Sequence, residues 1–583
     1  MHFSRNTWLA FLALLLTPAP ALLPAEPSVA RAQGGMVVAD ERHAVEAGIE
    51  ILRRGGNAVD VGVAVAFALA VTHPGAGNIG GGGFLLVRMA NGGTFFIDYR
   101  EMAPLAARRD MYLDAQGNFV PERSTLGWLA AGVPGTVAGM ELALRALGTL
   151  SLPEVMEPAI RLAEKGFPVS ERLAEDFRRA AKRLERFPES RKIFLRKGRF
   201  YTPGEIFKQK NLAKTLKKIA RRGAQEFYEG SIARRLAKES RAQGGLFTLE
   251  DLRRYRARLR EPLRGRFRGY EILTAPPPSS GGVALLEMLN ILDPLLPAEA
   301  RADDAGTVHL IVEVMRRAFA DRARFLGDPD FARIPVDALL DPRYAAAHRA
   351  TIDVARATPS AHLPLPDPGL YEAAGSGRES EETTHFSVVD AAGNALANTY
   401  TINDFFGNGV TVPGLGFLLN NEMDDFAAKP GAANATAELV QAEANRIEPR
   451  KRPLSSMTPT IVVRDAQPVL VLGAPGGPTI INSVLLTLLN RLAFGLDLPQ
   501  AVQRARYHHQ WMPDKLVLEK QGVEEALGEA LALRGHTLEW RERGFGALNA
   551  IEIAVATREL TGVGDARRAA VALGLERVPA GKN

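Results

Sequence analysis

The 583-residue sequence contains no cysteine, and this absence excludes several kinds of chemistry at once. Disulfides, thiolate nucleophiles and cysteine-ligated zinc are ruled out, whereas the redox compartment stays undetermined. An excess of one charge is also missing, because 72 basic against 66 acidic residues leave a net charge of +6. The pI of 9.4 suits anionic surfaces without indicating nucleic acid in particular. With 46% hydrophobic residues, the composition is typical of a globular protein.

No apolar run reaches the roughly 20 residues that a membrane-spanning helix requires. The first apolar stretch, residues 8–16, follows Arg5 and precedes the small-x-small segment at 30–32. This order is typical of a cleaved secretory signal. We therefore predict a signal peptide at residues 1–32 and a periplasmic or secreted protein with no membrane anchor after its removal. A second apolar stretch, residues 61–71, predicts a buried helix.

Several familiar functional patterns are absent or misplaced. No G-x-S-x-G or H-E-x-x-H segment occurs, and the adjacent His508 and His509 favour a structural role over a shared metal. The G-x-G-x-x-G spacing at 75–80 follows a helical pattern and precedes a strand, the reverse of the dinucleotide-binding order. The basic residues between 172 and 240 have no accompanying nucleic-acid motif, so we interpret them as a solvated helical face.

Two adjacent threonines begin a predicted strand in "EETTHFSVVD", residues 381–390. A turn-rich five-residue segment follows, and the next strand reads "ALANTYTIN", residues 395–403. If those five residues form the loop of a hairpin, Val389 pairs with Ala395 and Thr383 faces Thr401. The register therefore predicts two hydroxyl groups side by side, with the Asn403 amide just beyond them.

Threonine is a good strand former, so the threonine pair has a purely structural interpretation. A catalytic interpretation needs a base, and the sequence offers no Ser/His/Asp order. The base could be the α-amine of Thr383 itself, with a reference pKa near 8, if the chain were cut after Glu382. The preceding residues 359–382 have the composition of an exposed loop, where such a cut is feasible.

Long motifs in a fixed order now indicate a family. The segments "TTHFSVVD", "TYTIN", "LLNNEMDDF", "KRPLSSMTPTIV" and "GAPGG", with "GGGGF" and "DYRE" earlier, resemble the γ-glutamyltransferase (γ-glutamyl transpeptidase) family of N-terminal nucleophile hydrolases. The resemblance implies an α+β fold, a four-layer αββα sandwich. It also implies a heterodimer of a large fragment, residues 33–382, and a small fragment, residues 383–583, that form by self-cleavage.

The resemblance assigns roles to individual residues. Thr383 would be the nucleophile freed by cleavage after Glu382, and Thr401 the hydroxyl that supports it. The remaining assignments are the α-carboxylate ligands Arg100, Ser455 and Ser456, the α-amino ligand Asp425 with Glu422 and Asn403 nearby, and the oxyanion donors Gly476 and Gly477. A bidentate guanidinium–carboxylate pair and glycine N–H groups suit those tasks.

The implied activity is transfer of γ-glutamyl groups from glutathione-like amides to water, amino acids or peptides, without metal or organic cofactor. A related β-lactam acylase or poly-γ-glutamate hydrolase, or an unprocessed non-catalytic binding protein, remains an alternative. One departure concerns the lid, residues 428–445, where Thr436 stands near the place of an aromatic residue in many bacterial members. This smaller side chain predicts weaker lid closure and more hydrolysis.

Overall fold

Two seven-stranded β-sheets lie face to face at the centre of the protein, in a computed structural model that describes residues 26–363, 382–429 and 440–577. The predicted signal segment up to residue 25, residues 364–381 of the predicted loop, and Thr436 lie outside the described residues. The strands are β1 (Ser28–Ala32), β2 (Gly35–Ala39), β3 (Gly82–Arg88), β4 (Thr94–Asp98), β5 (Phe167–Pro168), β6 (Ile206–Phe207), β7 (Arg258–Arg260), β8 (Leu263–Phe267), β9 (Tyr270–Thr274), β10 (Thr384–Asp390), β11 (Ala395–Thr401), β12 (Thr460–Arg464), β13 (Gln467–Gly473), β14 (Tyr507–His508), β15 (Leu516–Glu519), β16 (Leu538–Arg541), β17 (Asn549–Ile553), β18 (Leu560–Gly564) and β19 (Val571–Leu575).

Helices cover both outer faces of the sheet pair. They are α1 (Arg42–Arg53), α2 (Ala58–Thr72), α3 (Pro121–Thr125), α4 (Thr136–Leu147), α5 (Leu152–Lys165), α6 (Glu171–Arg179), α7 (Ala181–Leu184), α8 (Pro188–Phe194), α9 (Lys210–Tyr228), α10 (Ser231–Ala242), α11 (Leu249–Arg254), α12 (Gly281–Leu292), α13 (Ala305–Phe325), α14 (Val336–Leu339), α15 (Pro342–Ala350), α16 (Thr479–Leu488), α17 (Leu498–Gln503) and α18 (Glu525–Leu533). Helices α1 and α2 pack on one sheet, whereas α12, α13 and α16 pack on the other. The predicted four-layer αββα sandwich is therefore confirmed.

Both predicted fragments contribute strands to both sheets. One sheet has the order β1-β18-β17-β13-β12-β9-β8, and the other has the order β19-β2-β10-β11-β3-β4-β7. Strands from before residue 382 pair with strands from after it at β1–β18, β9–β12, β2–β19, β2–β10 and β3–β11. A cut there would therefore leave two chains with a shared core. Such fragments would separate only when the whole core unfolds.

The predicted buried helix at residues 61–71 is the interior of α2, all of whose residues are buried. Asn57 caps this helix. Its Oδ1 accepts hydrogen bonds from the Val59 and Asp60 backbone amides, and the Asp60 carboxylate accepts one from the Asn57 backbone amide. This capping box fixes the start of α2 just after Gly55 and Gly56. Over the described ranges, no helix has the length and apolarity that a bilayer crossing demands.

Three strands of the two large sheets interrupt the mostly helical region from 125 to 330. Strands β7 and β8 lie at the edges of these sheets, and β9 lies between β8 and β12. In β8 the exposed Arg264 and Arg266 alternate with more buried residues. Such an arginine-rich edge strand is difficult to recognise from its sequence.

The strand β1 extends the first sheet and contains the end of the predicted signal segment. Its five residues pair with β18 from Ser28↔Gly564 to Ala32↔Leu560, and Ala32 is buried. A cut after Ala32 would remove the whole strand, whereas a cut before Ser28 would keep it.

We expect the mature amino terminus to lie before Ser28. A chain that begins at Gln33 should be less stable than one that begins at Glu26 by about 2–5 kcal/mol, the net worth of roughly five backbone hydrogen bonds. Urea unfolding of the two chains measures this difference, and amino-terminal sequencing of exported protein locates the cut. Equal unfolding midpoints, or a mature chain beginning at Gln33, would contradict the prediction.

Candidate active site

The predicted hairpin register is the one observed. Strands β10 and β11 pair from Val389↔Ala395 to Thr384↔Tyr400, so the next residues along the ladder are Thr383 and Thr401. The Thr383 Oγ1 lies 3.5 Å from the Thr401 Oγ1, and both side chains are buried. The five-residue loop therefore fixes the approach of the two hydroxyl groups.

The Thr401 hydroxyl is connected to the peptide bond at which cleavage is predicted. It donates a 2.9 Å hydrogen bond to the carbonyl oxygen of Glu382 and accepts one of 2.9 Å from the Asn403 amide. The carbonyl that Thr383 would attack is thus already polarised by a hydroxyl donor. In the uncut chain, the Thr401 hydroxyl therefore contacts both the Glu382 carbonyl oxygen and the Thr383 hydroxyl.

A glycine-rich segment supports Thr401 from behind. A Cβ on Gly81 would lie 2.1 Å from the Thr401 carbonyl oxygen, so only glycine permits this approach. The Asn78 side chain donates to the same carbonyl at 2.9 Å and accepts from the Gly81 amide. The glycines at 75–83 therefore allow close backbone contact, as their sequence order indicates, and do not hold a dinucleotide.

His385 is the nearest histidine in sequence to Thr383, but its ring is already engaged. Its Nδ1 and Nε2 lie 2.8 Å from the Thr399 hydroxyl and 3.1 Å from the Ser387 hydroxyl. Burial lowers the pKa of His385 to about 3, so the ring is neutral near pH 7. This arrangement leaves the prospective α-amine of Thr383 as the simplest base.

The predicted substrate-binding residues converge on one pocket beside the two threonines. Its lining includes Arg100, Thr383, Thr401, Asn403, Glu422, Asp425, Ser455, Ser456 and Gly477. These residues come from the end of β4, the β10–β11 hairpin, a 3₁₀ turn at Glu422–Asp425 and the segments before β12 and α16. Nine positions spread over almost 400 residues of sequence thus meet at one point.

Arg100 is fully buried and lies between acidic side chains. It pairs with Glu422 and Asp425 through its two terminal nitrogens and lies 3.6 Å from Glu101. Its Nε donates to the Pro453 carbonyl at 3.2 Å. The guanidinium and the carboxylates assigned to opposite ends of the substrate therefore form one ion-paired unit, which the resemblance alone did not indicate.

The acidic side chains around Arg100 have perturbed proton affinities. Burial raises the pKa of Glu101 to about 7, although the Arg100 charge opposes this shift. Burial raises the pKa of Glu422 and Asp425 as well, again against Arg100. Since burial favours the protonated forms, these acids can release protons when a substrate ammonium group enters.

Two serines line the pocket with their hydroxyl protons available. The Ser455 Oγ accepts from the Met457 amide at 3.1 Å, and the Ser456 Oγ accepts from Arg322 Nη2 at 3.2 Å. Since an N–H donor occupies each oxygen, each hydroxyl proton can be given to a carboxylate in the pocket.

Arg322 is a pocket residue that the sequence analysis missed. It lies near the end of α13, lines the same pocket and donates to the Ser280 hydroxyl at 2.9 Å. Ser280 in turn donates to the Ser455 carbonyl at 2.6 Å. Arg322 therefore contacts Ser456 directly and Ser455 through Ser280, and it adds a second positive charge to the pocket. The sequence signal was weak, because α13 carries several other arginines, namely Arg316, Arg317 and Arg324.

The two glycines assigned to the oxyanion hole lie in a tight turn between β13 and α16. Gly476 has φ 127° and Gly477 has φ 55°, both in the region that favours glycine. A Cβ on Gly476 would also lie 2.5 Å from the Thr479 hydroxyl. Gly477 lines the pocket, whereas Gly476 lies just behind it. The turn therefore places Gly477 at the pocket that also contains Thr383.

Other histidine and acidic groups do not join this site. His508 contacts Asn482 and Gln510, whereas His509 contacts Asp514, so the adjacent rings diverge as predicted. Two buried groups could each offer three metal ligands, namely His309 with Glu313 and His536, and Glu287 with Asp321 and His348. Neither group contains a residue of the pocket.

A separate cavity of about 830 Å³ is lined by Glu382, Arg179 and Arg568 but by none of the other predicted site residues. The groups suited to binding and acyl transfer line the smaller pocket. We place the chemistry there because function follows the convergence of reactive groups and not cavity size.

Comparison with known proteins agrees with this arrangement. A family model described as Gamma-glutamyltranspeptidase matches residues 44–575. The chain is 46% identical to a glutathione hydrolase proenzyme from Escherichia coli K12, with 86% of this chain and 87% of the relative covered. It is 43% identical to a glutathione hydrolase proenzyme from Pseudomonas aeruginosa, with 93% and 95% covered.

A solved structure of cephalosporin acylase from Bacillus halodurans shares the fold, with a TM-score of 0.85 and 26% identity. The match covers 97% of this chain and 100% of that one. The family model and both proenzyme relatives extend over most of the chain. On these grounds the chain belongs to the γ-glutamyltranspeptidase family.

Proposed function

We propose that the protein is an exported γ-glutamyltransferase and glutathione hydrolase that matures by self-cleavage between Glu382 and Thr383. The observation that carries this proposal is the position of Thr383: its hydroxyl lies beside Thr401, which donates to the Glu382 carbonyl, and next to the carboxylate-lined pocket. One residue is therefore placed for both reactions.

In maturation, the Thr383 Oγ attacks the carbonyl carbon of Glu382, and the Thr401 hydroxyl stabilises the developing oxyanion. The C–N bond breaks as the Thr383 nitrogen takes up the hydroxyl proton, which leaves an ester between Glu382 and Thr383. Water hydrolyses this ester. The products are the Glu382 carboxylate and a free Thr383 amine.

In the mature enzyme, the Thr383 amine accepts the hydroxyl proton as the Oγ attacks the γ-carbonyl of the donor. The Gly476 and Gly477 amides stabilise the tetrahedral intermediate, and the protonated amine then protonates the leaving amine. The resulting γ-glutamyl ester is transferred to water, an amino acid or a peptide.

Recognition of the glutamyl group rests on the two poles of its zwitterion. Ser455 and Ser456, with Arg100 and Arg322, attract the α-carboxylate, while Glu422, Asp425 and Asn403 attract the α-ammonium. The bidentate ability of guanidinium and the excess of carboxylates both fit such a ligand.

An acylase acting on β-lactam side chains is the second candidate, because the fold is shared with a cephalosporin acylase. The acidic turn at Glu422–Asp425 weighs against it, since an acyl group without an ammonium would leave these carboxylates unmatched.

Replacing Thr383 by Ala should abolish both self-cleavage and activity, because no hydroxyl remains to attack either carbonyl. Denaturing electrophoresis and a γ-glutamyl anilide assay measure the two effects. Thr384→Ser is the matched control, since it keeps the hydroxyl that bonds Asp40 at 2.9 Å and should be cut normally. A new amino terminus other than Thr383 in the wild type would refute the proposed cut.

Arg322→Gln should raise KM for γ-glutamyl donors by about 10–100-fold, the worth of one charge-assisted hydrogen bond, with a smaller change in kcat. Because Arg322 acts partly through Ser456, the effects of Arg322→Gln and Ser456→Ala should be less than additive in the double variant. Steady-state kinetics of the four proteins test this coupling. If the effects of the two substitutions on KM are strictly additive, or if KM does not change, Arg322 is not part of the carboxylate subsite.

Glutamate binding should tighten as the pH rises from about 5.5 to 7.5. Glu101 does not line the pocket but lies 3.6 Å from Arg100, which does, and its raised pKa of about 7 means that it holds a proton below this pH. Loss of that proton as the pH rises adds negative charge beside the pocket, which favours binding of an ammonium group. Glu101→Gln should flatten this dependence, because the amide cannot release a proton. The inhibition constant of free glutamate is the measurement. Parallel pH profiles for the two proteins would contradict the explanation.

A further inference from the structure

Two arginines meet the side chain of Glu382, the residue on the amino side of the proposed cut. The Arg568 Nη1 lies 3.4 Å from one carboxylate oxygen of Glu382, and the Arg179 Nη2 lies 3.6 Å from the other. Glu382 is only 7% exposed, so these contacts form with little solvent around them. At these distances the two guanidinium groups attract the carboxylate electrostatically, without a short hydrogen bond to it.

Arg568 also holds the other side of the same peptide bond. Its Nη1 donates to the carbonyl oxygen of Thr383 at 2.9 Å. One guanidinium therefore contacts the residue before the bond through its side chain and the residue after it through its backbone. The peptide plane between them has little freedom to rotate.

The two arginines come from distant parts of the chain and are themselves supported. Arg179 ends α6, and Arg568 ends the 3₁₀ turn Ala566–Arg568. The Arg568 carbonyl accepts from Arg172, and buried Asp176 lies 3.7 Å from Arg172 and 3.6 Å from Arg179. Neighbouring charges thus orient the arginines.

We propose that Arg179 and Arg568 are positioning residues for maturation, forming a clamp that holds Glu382 so that the Thr383 hydroxyl can reach its carbonyl carbon. This inference rests on the proposed cut between Glu382 and Thr383. Attack on a carbonyl needs near-contact geometry, and a misplacement of about 1 Å can slow a reaction about 100-fold.

The clamp also suits the product of the cut. When the Thr383 Oγ bonds to the Glu382 carbon, the C–N bond breaks, and water then hydrolyses the ester to give a second carboxylate on Glu382. This new anion forms beside Arg179 and Arg568. The cavity of about 830 Å³ that these residues line can admit the water. The same cations therefore favour the cleaved state.

The test is the rate at which newly synthesised full-length chain is converted to fragments, followed on denaturing gels after cell-free synthesis. We expect Arg568→Gln to slow cleavage by about tenfold or more, and Arg179→Gln by less, in line with the loss of charge-assisted contacts. Arg543→Gln is the matched control, because Arg543 lines the same cavity and is exposed. It should be cut at the wild-type rate.

A double-mutant cycle of Arg568→Gln and Glu382→Gln tests whether Arg568 positions the cleavage site or only stabilises the fold. In Arg568→Gln the buried Glu382 carboxylate loses a partner, so adding Glu382→Gln should restore part of the cleavage rate. Thermal unfolding of each variant in the Thr383→Ala background should stay close to that of the parent chain. Cleavage of Arg568→Gln within about twofold of wild type, or absence of any rescue, would overturn the clamp.

The wild-type chain distinguishes failure of the clamp from failure of the proposed function. If it is cut before Thr383 and the arginine variants are cut equally fast, only the clamp is refuted. If it is cut elsewhere or stays intact, the proposed function is refuted and the clamp with it.

Discussion

The antiparallel register between β10 and β11 is the constraint on which the site depends. It sets Thr383 next to Thr401, and through the Thr401 hydroxyl it reaches the Glu382 carbonyl. A shift of one residue would turn the Thr401 side chain to the opposite face of the sheet. The flanking strands β2 and β3 pair with this hairpin on both sides, so a slip would also break two neighbouring ladders. The register is thus fixed by the whole sheet and not by the loop alone.

The second constraint is electrostatic. Burying Arg100 would be costly by itself, and burying Glu101, Glu422 and Asp425 would be costlier still. Together they compensate in part, and burial raises the pKa of the acids until they hold some of the missing positive charge as protons. Protons and Arg100 therefore balance the acids in the empty site. In the proposed function a substrate ammonium would replace such a proton, which would link the charge balance of the pocket to its specificity.

Local patterns predicted what depends on near neighbours, and the family resemblance predicted most of the rest. The hairpin register followed from a five-residue turn, and the buried helix α2 followed from the apolar stretch at residues 61–71. Arg322 was not predicted because its role depends on how α13 packs against the segment before β12. The hydrophobic periodicity of the sequence does not report such a long-range contact. The ion pairs of Arg100 escaped for the same reason: their partners lie more than 320 residues away in sequence.

The two reactions proposed for Thr383 require carboxylate recognition at two separate places. In maturation the acyl group belongs to Glu382, whose α-carbonyl is attacked while its side-chain carboxylate lies between Arg179 and Arg568. In turnover the γ-carbonyl of a donor is attacked, and its α-carboxylate faces Ser455, Ser456, Arg100 and Arg322. Because the Glu382 side chain lines the other cavity, the uncut chain does not fill the glutamyl pocket with its own glutamate. The nucleophile and Thr401 are shared, whereas the cations that orient each acyl group are not. Separate cations allow each acyl group to be oriented without compromising the other.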